Sequence, residues 1–202
     1  MVNEGSEQTG NSVTISKDGS HVIHYWSLDK AGNQEEKKAV EIQLDQTAPT
    51  ITFSAEDDIE YSADQVVNIS CKALDELSTI ASSICKDLST PAYQLGLSTH
   101  TMTAAATDLA GNNASKSIRF IVTVDYESLV ILTKQFLADK EDKATSYINK
   151  LKAAKKSEEK GNIKARDSQI NAYIKLVSTK GSKDFNKDQA EVLLRLAQSL
   201  KK

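Results

Sequence analysis

The pattern of apolar and polar residues changes once along this 202-residue chain, near residue 125. Before that point, apolar and polar residues alternate in short runs, which is typical of strands with one buried face. Polar turn residues separate the runs, so we expect short strands that pack as a β-sandwich. The predicted strands cover residues 13–15, 21–28, 40–44, 51–53, 66–71, 80–85, 93–95, 101–106 and 118–124.

After residue 125 the apolar residues recur every three or four positions, which is the spacing of one helix face. Four helices with short connections predict a small bundle. The second helix is expected to stop at Gly161-Asn162 and the third before Gly181. Asn186 is the predicted N-cap of the fourth, with Gln189 in the capping-box position. The apolar residues that mark the helices are Leu129, Leu132, Phe136, Ala144, Tyr147, Ile148, Leu151, Ala154, Ile163, Ile170, Tyr173, Ile174, Val177, Ala190, Leu193, Leu194, Ala197 and Leu200.

A five-residue motif, Asp-x-Ala-Gly-Asn, occurs twice, at residues 29–33 and 108–112. Gly and Asn tolerate the positive φ of tight turns, and an Asp side chain accepts hydrogen bonds from the amides of its own turn. The two copies start 79 positions apart, a plausible length for one β-sandwich domain, so we predict two equivalent turns in tandem domains. The predicted structural turn residues are Asp29, Gly32, Asn33, Asp108, Gly111 and Asn112.

Alignment of the two motifs predicts that the first domain is only the C-terminal half of a sandwich. Three strands precede residue 46, whereas a sandwich of this kind has about seven. We expect the other half to lie before Met1, in a longer precursor. The inward residues Ile23 and Tyr25 then lack an opposing sheet, so residues 1–46 are expected to be the least stable part.

The charge of the chain changes sign where the apolar pattern changes. Residues 1–124 carry 8 basic and 17 acidic side chains, a net charge of −9, and residues 125–202 carry 17 and 11, a net charge of +6. Such a break marks a domain boundary, and we predict domains at residues 1–46, 47–124 and 125–202. No apolar run is long enough to span a membrane, and the first residues lack the basic and apolar regions of a signal peptide.

The two cysteines, Cys71 and Cys85, fall on consecutive predicted strands, which can place their Cα atoms within disulfide reach. A bridge across a loop of about 15 residues contributes roughly 3 kcal/mol in the chain-entropy model. The alternative is two buried free thiols. We favour the disulfide because small β domains outside the cell commonly use one, and it predicts an extracellular protein, either secreted or associated with the cell wall.

Residues 47–124 contain a set of phrases that occur together in one family of repeats. The phrases are Thr47-Ala48-Pro49, Ser70-Cys71-Lys72-Ala73-Leu74-Asp75, Ala81-Ser82-Ser83-Ile84-Cys85 and Ala106-Thr107-Asp108-Leu109-Ala110-Gly111-Asn112. They resemble bacterial Ig-like repeats of secreted multidomain proteins. The chain departs from these repeats at Ser78-Thr79, where they usually carry Ser-Gly. Residues 12–46 look like the end of a related repeat, through the phrase Tyr25-Trp26-Ser27-Leu28-Asp29-Lys30-Ala31-Gly32-Asn33.

The helical region is similar to a C-terminal module that follows such repeats in secreted enzymes of Gram-positive bacteria. The resemblance implies a multidomain chain of all-β Ig-like sandwiches followed by a small all-α helical bundle. It also implies a non-catalytic spacer, stabilising or attachment region, beside upstream catalytic or Ig-like domains of one precursor, such as an extracellular hydrolase or lyase. The alternative is a carbohydrate- or cell-wall-binding module. The matching phrases are Ser128-Leu129, Lys150-Leu151-Lys152-Ala153-Ala154, Glu159-Lys160-Gly161-Asn162, Asn171-Ala172-Tyr173-Ile174 and Gln189-Ala190.

Histidines do not suggest a metal site. His21 and His24 are three positions apart on a predicted strand and so face opposite ways, and His100 has no nearby partner. No Gly-x-Ser-x-Gly elbow, Ser/His/Asp spacing or glycine-rich phosphate loop occurs in the sequence. We therefore expect neither a catalytic site nor a resident cofactor.

An acidic cluster early in the second domain offers oxygen ligands of the kind that Ca²⁺ prefers. Its residues are Glu56, Asp57, Asp58 and Glu60, and their spacing lacks an EF-hand pattern. An ordinary solvated acidic loop is the favoured interpretation, with calcium as the alternative.

Two surfaces are candidates for binding a polymer. Trp26 with His24 is a candidate for stacking on a sugar, whereas Tyr25 faces the other way along the strand. The helical region carries a basic run that alternates with acidic residues, so a solvated face is favoured over contact with a cell-wall polymer or acidic polysaccharide. Nucleic acid is not expected because no aromatic residues interleave the run. The run is Lys150, Lys152, Lys155, Lys156, Lys160, Lys164 and Arg166, with Glu158, Glu159 and Asp167 between.

Overall fold

The structure is a computed structural model, and it describes residue 5 and residues 7–138 and 140–201. In this part of the chain a strand-rich region is followed by four long helices. The strands are β1 (Gly19–Tyr25), β2 (Lys38–Leu44), β3 (Thr50–Phe53), β4 (Ile59–Ser62), β5 (Val66–Ile69), β6 (Cys71–Leu74), β7 (Ile80–Ser83), β8 (Leu88–Pro91), β9 (Thr99–Asp108) and β10 (Asn113–Thr123). The helices are α1 (Ala92–Leu95), α2 (Tyr126–Phe136), α3 (Glu141–Glu159), α4 (Ile163–Asp184) and α5 (Lys187–Ser199).

The strands form one four-stranded sheet and three two-stranded sheets. The larger sheet has the order β4-β10-β9-β7, and the pairs are β1-β2, β3-β6 and β5-β8. The described residues divide into two compact units. The first is built from residues 1–52, 71–86 and 103–116, and the second from residues 53–70, 87–102 and 117–202. The division into three domains stays a prediction.

In the first unit, β1 and β2 form an antiparallel pair that runs from Gly19 opposite Leu44 to the far end of both strands. Tyr25, Val40 and Ile42 lie on one face of this pair because residues two apart, and residues directly opposite, share a face. These side chains are 50%, 42% and 39% exposed, respectively. These three apolar side chains are therefore partly open to solvent, although His21, which lies opposite Ile42 on the same face, is 7% exposed.

A disulfide between Cys71 and Cys85 closes the loop that contains β6 and β7, with the two Cα atoms 5.4 Å apart. This confirms the predicted bridge. Both cysteines lie in the first unit, together with the segment from Thr103 to Lys116. Ile84 lies next to Cys85, and its amide donates to the carbonyl of Ala105, so the bridged loop is hydrogen-bonded to β9.

In the second unit, one apolar core lies among the strands and another among the helices. Phe120 of β10 is 2% exposed and contacts Tyr61 edge to face, with ring centroids 5.8 Å apart. In the helices, the hydroxyl groups of Thr133 and Tyr173 are hydrogen-bonded at 2.8 Å inside the core. Burial of a large apolar side chain contributes roughly 1.5–3 kcal/mol, so these cores stabilise the unit. The apolar residues of α2 to α5 that are 0% exposed are Leu129, Leu132, Leu151, Ala154, Ile170, Tyr173, Leu193, Leu196 and Ala197.

Two of the helices begin with reciprocal capping boxes. Asn186 and Gln189 cap α5 as predicted, each side chain bonded to the backbone N–H of the other. Asp125 and Ser128 form the same arrangement at α2, where the apolar pattern predicts no particular cap. Such caps satisfy amide groups that the first helical turn leaves without partners. In the residues described, no helix combines the length and apolar character needed to cross a bilayer.

Several predictions of strands and helices are wrong, and β4 and β8 are not predicted at all. Residues 13–15 form no strand, and residues 93–95 form α1 instead of one. The run 66–71 breaks at Ser70 into β5 and β6, which pair with different strands. The alternation of apolar and polar residues therefore continues where the chain passes from one sheet to another. Helix α4 continues through Gly181 to its end at Asp184. Glycine lowers helix stability by about 1 kcal/mol, which tertiary contacts can offset.

One such contact holds the end of α4. Lys140 Nζ donates to the carbonyl oxygens of Lys183 and Asp184, both at 2.9 Å. A cation at this position satisfies the last carbonyls and interacts favourably with the helix dipole. The side chain of Asp184 accepts from Lys143 at 2.9 Å and from the hydroxyl of Tyr147 at 2.8 Å. These bonds explain why the helix ends after Asp184 and not before Gly181.

Candidate functional site

The second Asp-x-Ala-Gly-Asn motif forms a closed turn between β9 and β10. The amide of Asp108 donates to the carbonyl of Asn112 at 3.1 Å, and Gly111 donates to Asp108 O at 3.3 Å. The Asp108 carboxylate accepts from the Asn112 amide at 2.8 Å and from its side chain at 3.0 Å. Gly111 has φ 93°, a conformation that glycine adopts without steric penalty.

The first motif forms the same turn. Asp29 N donates to Asn33 O at 3.0 Å, and Gly32, with φ 90°, donates to Asp29 O at 3.1 Å. The Asp29 carboxylate accepts from the Asn33 amide at 2.9 Å and from the Asn33 side chain at 2.7 Å. It also accepts from the amide of Ala31 at 2.8 Å. The five-residue motif therefore forms the same turn in two different surroundings.

The two turns differ in what the asparagine side chain reaches. Asn112 Nδ2 also donates to the carbonyl of Asp45 at 3.1 Å and to the carbonyl of Thr47 at 3.3 Å. These carbonyls belong to the segment between β2 and β3. The side chain of Asn33 is exposed and bonds to Asp29 within its own turn. The second turn thus holds a distant segment of the chain, whereas the bonds of the first turn are local.

Asp18, which precedes the same segment in sequence, also binds it. One carboxylate oxygen of Asp18 accepts from the amide of Gln46 at 3.0 Å, and the other accepts from the hydroxyl of Thr47 at 2.6 Å. The side chain of Gln46 donates to Asp18 at 3.1 Å and to the carbonyl of Ser16 at 3.1 Å. The Thr47 hydroxyl and the Gln46 side chain and amide lower the pKa of Asp18, although desolvation raises it. We call residues 45–49 the joint segment, because both flanking regions bind it.

Three carboxylates meet beside the joint segment. Asp45, Asp75 and Asp108 each offer an oxygen, and these oxygens lie within 4.8 Å of one another. Asp75 is 8% exposed and Asp108 is 1% exposed. Two oxygens that bind one Ca²⁺ at about 2.4 Å lie no more than about 5 Å apart, so the spacing suits this cation. We call these residues the aspartate cluster.

The protein itself satisfies much of the aspartate cluster, but not all of it. One oxygen of Asp75 accepts from the amides of Leu77 and Ser78, at 3.0 and 2.8 Å. Asp45 Oδ1 accepts from Thr47 N at 2.9 Å, whereas Asp45 Oδ2 is buried and has no hydrogen-bond partner among the described residues. A buried carboxylate oxygen without a partner is unfavourable. A divalent cation that binds this oxygen would remove the penalty.

Asp108 is held in its charged form despite its burial. Desolvation raises the pKa of Asp108. The hydrogen bonds from the side chain and amide of Asn112 and from the amides of Gly111 and Ala110 lower it, and together they outweigh the desolvation. The net pKa is below the ordinary value of 3.8. A carboxylate that stays ionised beside two others is suited to binding a cation through oxygen ligands, and the arrangement contains no nucleophile paired with a base.

The acidic residues singled out from the sequence lie elsewhere, in the second unit. Asp57 accepts from the backbone amide of Arg119 at 2.6 Å, and Asp58 accepts from the Arg119 guanidinium at 2.7 Å. The hydrogen bond from the Arg119 amide lowers the pKa of Asp57. Glu60 accepts from the hydroxyl of Thr123 at 2.7 Å, and Glu56 is exposed. These contacts attach the loop to β10.

The histidines and Trp26 occupy separate places. His21, 7% exposed, has its ring nitrogen 2.6 Å from the carbonyl of Lys17. His24 lies opposite Ala39 in the β1-β2 pair. The amine of Lys37 sits 4.2 Å above the Trp26 ring, a cation–π contact that covers one face of the candidate sugar platform. In the second unit, His100 stacks on Phe120.

Three members of this site, Asp18, Asp45 and Asp75, are not predicted from the sequence. Asp45 and Asp75 each precede residues whose amides they accept, which is the Asx-turn signal of an Asp followed by Thr or Ser. That signal predicts a local turn, but it does not predict that two such turns meet. Their meeting depends on chain segments about 30 residues apart in sequence, and a local pattern does not contain that information.

Comparison with protein-family models finds none that matches this chain, and comparison with curated proteins finds no match either.

Proposed function

We propose that this chain is a non-catalytic accessory region of a secreted or cell-surface multidomain protein, in which the joint segment works as a stiff connector between Ig-like repeats. The observation that carries the proposal is the binding of Asp45, Gln46 and Thr47 by residues that precede and follow them in sequence. Asp18 holds them from one flank and Asn112 from the other. A spacer must keep its neighbouring domains at a fixed separation, and a connector with satisfied backbone groups does this.

The disulfide supports an extracellular location. Disulfides persist in oxidising compartments and are rare where thiols are kept reduced. Cys71 and Cys85 close the loop that presents Asp75 to the aspartate cluster. The bridge therefore stabilises the connector in the compartment where a secreted protein works. The candidate site uses its polar groups for structural hydrogen bonds, which suits an accessory role.

The proposal is tested by measuring how tightly the joint segment is held. Spin labels at Glu36 and Lys116, which are exposed and lie in the first unit, report the distance across the joint. We expect a narrow distance distribution that broadens when Asn112 is replaced by Ala. Asn33→Ala is the matched control, because it alters the equivalent turn of the first motif, which makes no contact with the joint segment. A broad distribution in the unmodified protein would contradict the stiff connector.

A second function, binding of a divalent cation, is favoured by the buried and unpartnered Asp45 Oδ2. Extracellular modules bind Ca²⁺ with dissociation constants of about 10⁻⁴–10⁻³ M. We expect Ca²⁺ at roughly ten times such a constant to stabilise the protein by about 1.4 kcal/mol. Asp75→Asn should remove this stabilisation, whereas Asp57→Asn, outside the cluster, should keep it. An unchanged melting temperature with Ca²⁺ would exclude the cation.

The alternative of sugar binding through His24 and Trp26 makes a different prediction. A neutral insoluble polysaccharide would retain the protein, and Trp26→Ala would abolish the retention, since stacking requires the indole ring. A spacer shows no more retention than a control protein. We expect no retention, and retention that depends on Trp26 would replace the spacer function with that of a binding module.

A further inference from the structure

Three lysines on α3 form a row, which we call the outer lysine row: Lys152, Lys156 and Lys160. Residues four positions apart lie on one ridge of a helix, about 6 Å apart along its axis. Lys160 is the C-cap of α3, with φ −90° and ψ 3°, so it continues the ridge. All three lysines are exposed, whereas Leu151 and Ala154 are fully buried. The row therefore lies on the solvent side of the helix.

The acidic residues near this row bind other cations. Arg166, which is 6% exposed, contacts Glu158 at 3.1 Å and Asp167 at 2.8 Å. Glu159 lies 4.0 Å from Lys155. Within residues 7–138 and 140–201, no ion pair involves the outer lysine row. In the sequence these acidic residues alternate with the lysines and suggest a neutralised face. In the structure they pair with Arg166 and Lys155 instead.

The helix dipole explains only part of this arrangement. Cations are favourable in the last turn of a helix, which accounts for Lys156 and Lys160. Lys152 lies about two turns before the end of α3. Like charges four positions apart on a helix repel one another. Between residues 143 and 157 the sequence has five lysines and no acidic residue. Lys143 and Lys155 pair with Asp184 and Glu159, whereas Lys152 and Lys156 belong to no ion pair among the described residues. A bound anion would offset the repulsion between these two lysines.

We propose that the outer lysine row binds a linear polyanion, a chain of polyol phosphates whose negative groups repeat about every 6 Å. Lysine amines bind phosphate as mobile point charges, without the planar geometry that arginine imposes. Three of them on one ridge match a repeating chain better than a single anion. The positive field of residues 125–202, with a net charge of +6, attracts such a chain over a longer range. This inference does not depend on the proposed connector function.

The structure argues for a polyol phosphate and against a nucleic acid. Proteins that bind single-stranded nucleic acid without sequence preference stack the bases on exposed aromatic side chains. The aromatic residue of α3, Tyr147, is 1% exposed and contacts Tyr173 and Phe185 inside the core. The ridge thus offers positive charge without a stacking surface. A polymer without bases does not need a stacking surface, so the ridge suits it.

The decisive experiment measures binding of the full chain to synthetic poly(glycerol phosphate) at several salt concentrations. The test variant replaces all three lysines of the row by Gln. The matched control replaces Lys164, Lys175 and Lys180 of α4, which are also exposed, so both proteins lose three positive charges. Circular dichroism of both variants should match that of the unmodified protein, because none of the six side chains is buried.

We expect the row variant to bind at least about tenfold more weakly. The slope of log affinity against log salt should decrease by about 2, which is roughly 0.7 for each phosphate that the three lysines no longer neutralise. The control variant should keep the slope and most of the affinity.

Equal weakening in both variants would overturn the proposal, because net charge alone would then explain the binding. Absence of binding by the unmodified protein at low salt would also overturn it. Tighter binding to single-stranded DNA of equal charge would overturn the choice of polymer.

Discussion

The two Asp-x-Ala-Gly-Asn turns have the same internal hydrogen bonds but different roles. In both, the Asp carboxylate accepts from the amide and the side chain of the Asn four positions later. Asp29 is exposed, whereas Asp108 is 1% exposed and lies beside Asp45 and Asp75. The five-residue motif is thus enough to form the turn, and only the second turn also bonds to the joint segment. Paired substitutions in the two turns can therefore separate the local from the tertiary contribution.

The largest effect is expected when the disulfide is removed by replacing Cys71 and Cys85 with Ser. The bridge constrains the loop that carries Asp75, and its loss should lower the free energy of unfolding by about 3 kcal/mol. Urea denaturation followed by circular dichroism measures this change. The backbone amide of Asn112 should also exchange faster with solvent, while that of Asn33 is unaffected.

Chemical reduction of the unmodified protein provides the control, because it breaks the same bond without changing the sequence. A loss of stability without faster exchange at Asn112 would mean that the disulfide supports the unit but not the turn. Unchanged stability in both experiments would contradict a structural role for the bridge.

The next largest effect on stability is expected when each of the two asparagines, Asn112 and Asn33, is replaced by Ala. Asn112→Ala removes bonds to Asp108 and to two carbonyls of the joint segment, and at about 1 kcal/mol for each bond we expect a loss of about 2–3 kcal/mol. Asn33→Ala removes one side-chain bond, to the exposed Asp29, and should lower the stability by about 0.5–1 kcal/mol. Urea denaturation of both variants gives the comparison. Equal losses would show that the bonds to the joint segment contribute nothing.

The pH dependence of stability should show the local contribution of both turns. The pKa of Asp29 is lowered, first by the side chain and then by the amide of Asn33, and that of Asp108 is lowered despite desolvation. A folded-state pKa below the unfolded value means that the stabilisation is fully present above about pH 4 and is lost as the pH falls through the folded-state pKa.

Carboxyl titration by NMR measures both pKa values directly. Asn33→Ala should raise the pKa of Asp29 and leave that of Asp108 unchanged, and Asn112→Ala should have the opposite effect. A raised pKa at both aspartates in either variant would indicate a global change of structure. Unchanged values in both variants would contradict the assigned hydrogen bonds.

The smallest difference is expected between the two glycines. Gly32 and Gly111 have nearly equal positive φ values, and a Cβ at either position meets nothing within 4 Å. Replacement by Ala should therefore destabilise through backbone strain alone, by about 1–2 kcal/mol in each case. Thermal denaturation of both variants tests this equality. A larger loss at Gly111 would mean that the turns differ in their backbone and not only in their neighbours.

Periodicity predicts the helical region well because each helix buries one face. The apolar spacing around Leu129, Leu151, Tyr173 and Leu193 identifies four helices, and these residues are fully buried. It fails at Gly181, where the bonds from Lys140 to the end of α4 offset the low helix propensity of glycine. A side chain some 40 residues away thus decides where the helix ends.

The strands and the site are less predictable for the same reason. The run 66–71 alternates throughout, but the chain changes sheets at Ser70, where the amide bonds to the side chain of Ser54. The turn at residues 108–112 could be predicted from five adjacent residues. The aspartate cluster could not, because Asp45 and Asp75 reach Asp108 only through the fold.

The most direct test of the central claim is hydrogen exchange at the joint segment. The amide of Gln46 donates to Asp18 at 3.0 Å and that of Thr47 to Asp45 at 2.9 Å, and a flexible linker would hold neither bond. NMR-detected exchange resolves each amide. We expect both amides to exchange at least about tenfold more slowly than in an unstructured peptide. A tenfold slower exchange corresponds to a free energy of roughly 1.4 kcal/mol for opening the hydrogen bond. The protection should be lost in Asn112→Ala and kept in Asn33→Ala. Exchange of both amides at the rate of an unstructured peptide in the unmodified protein would contradict the stiff connector.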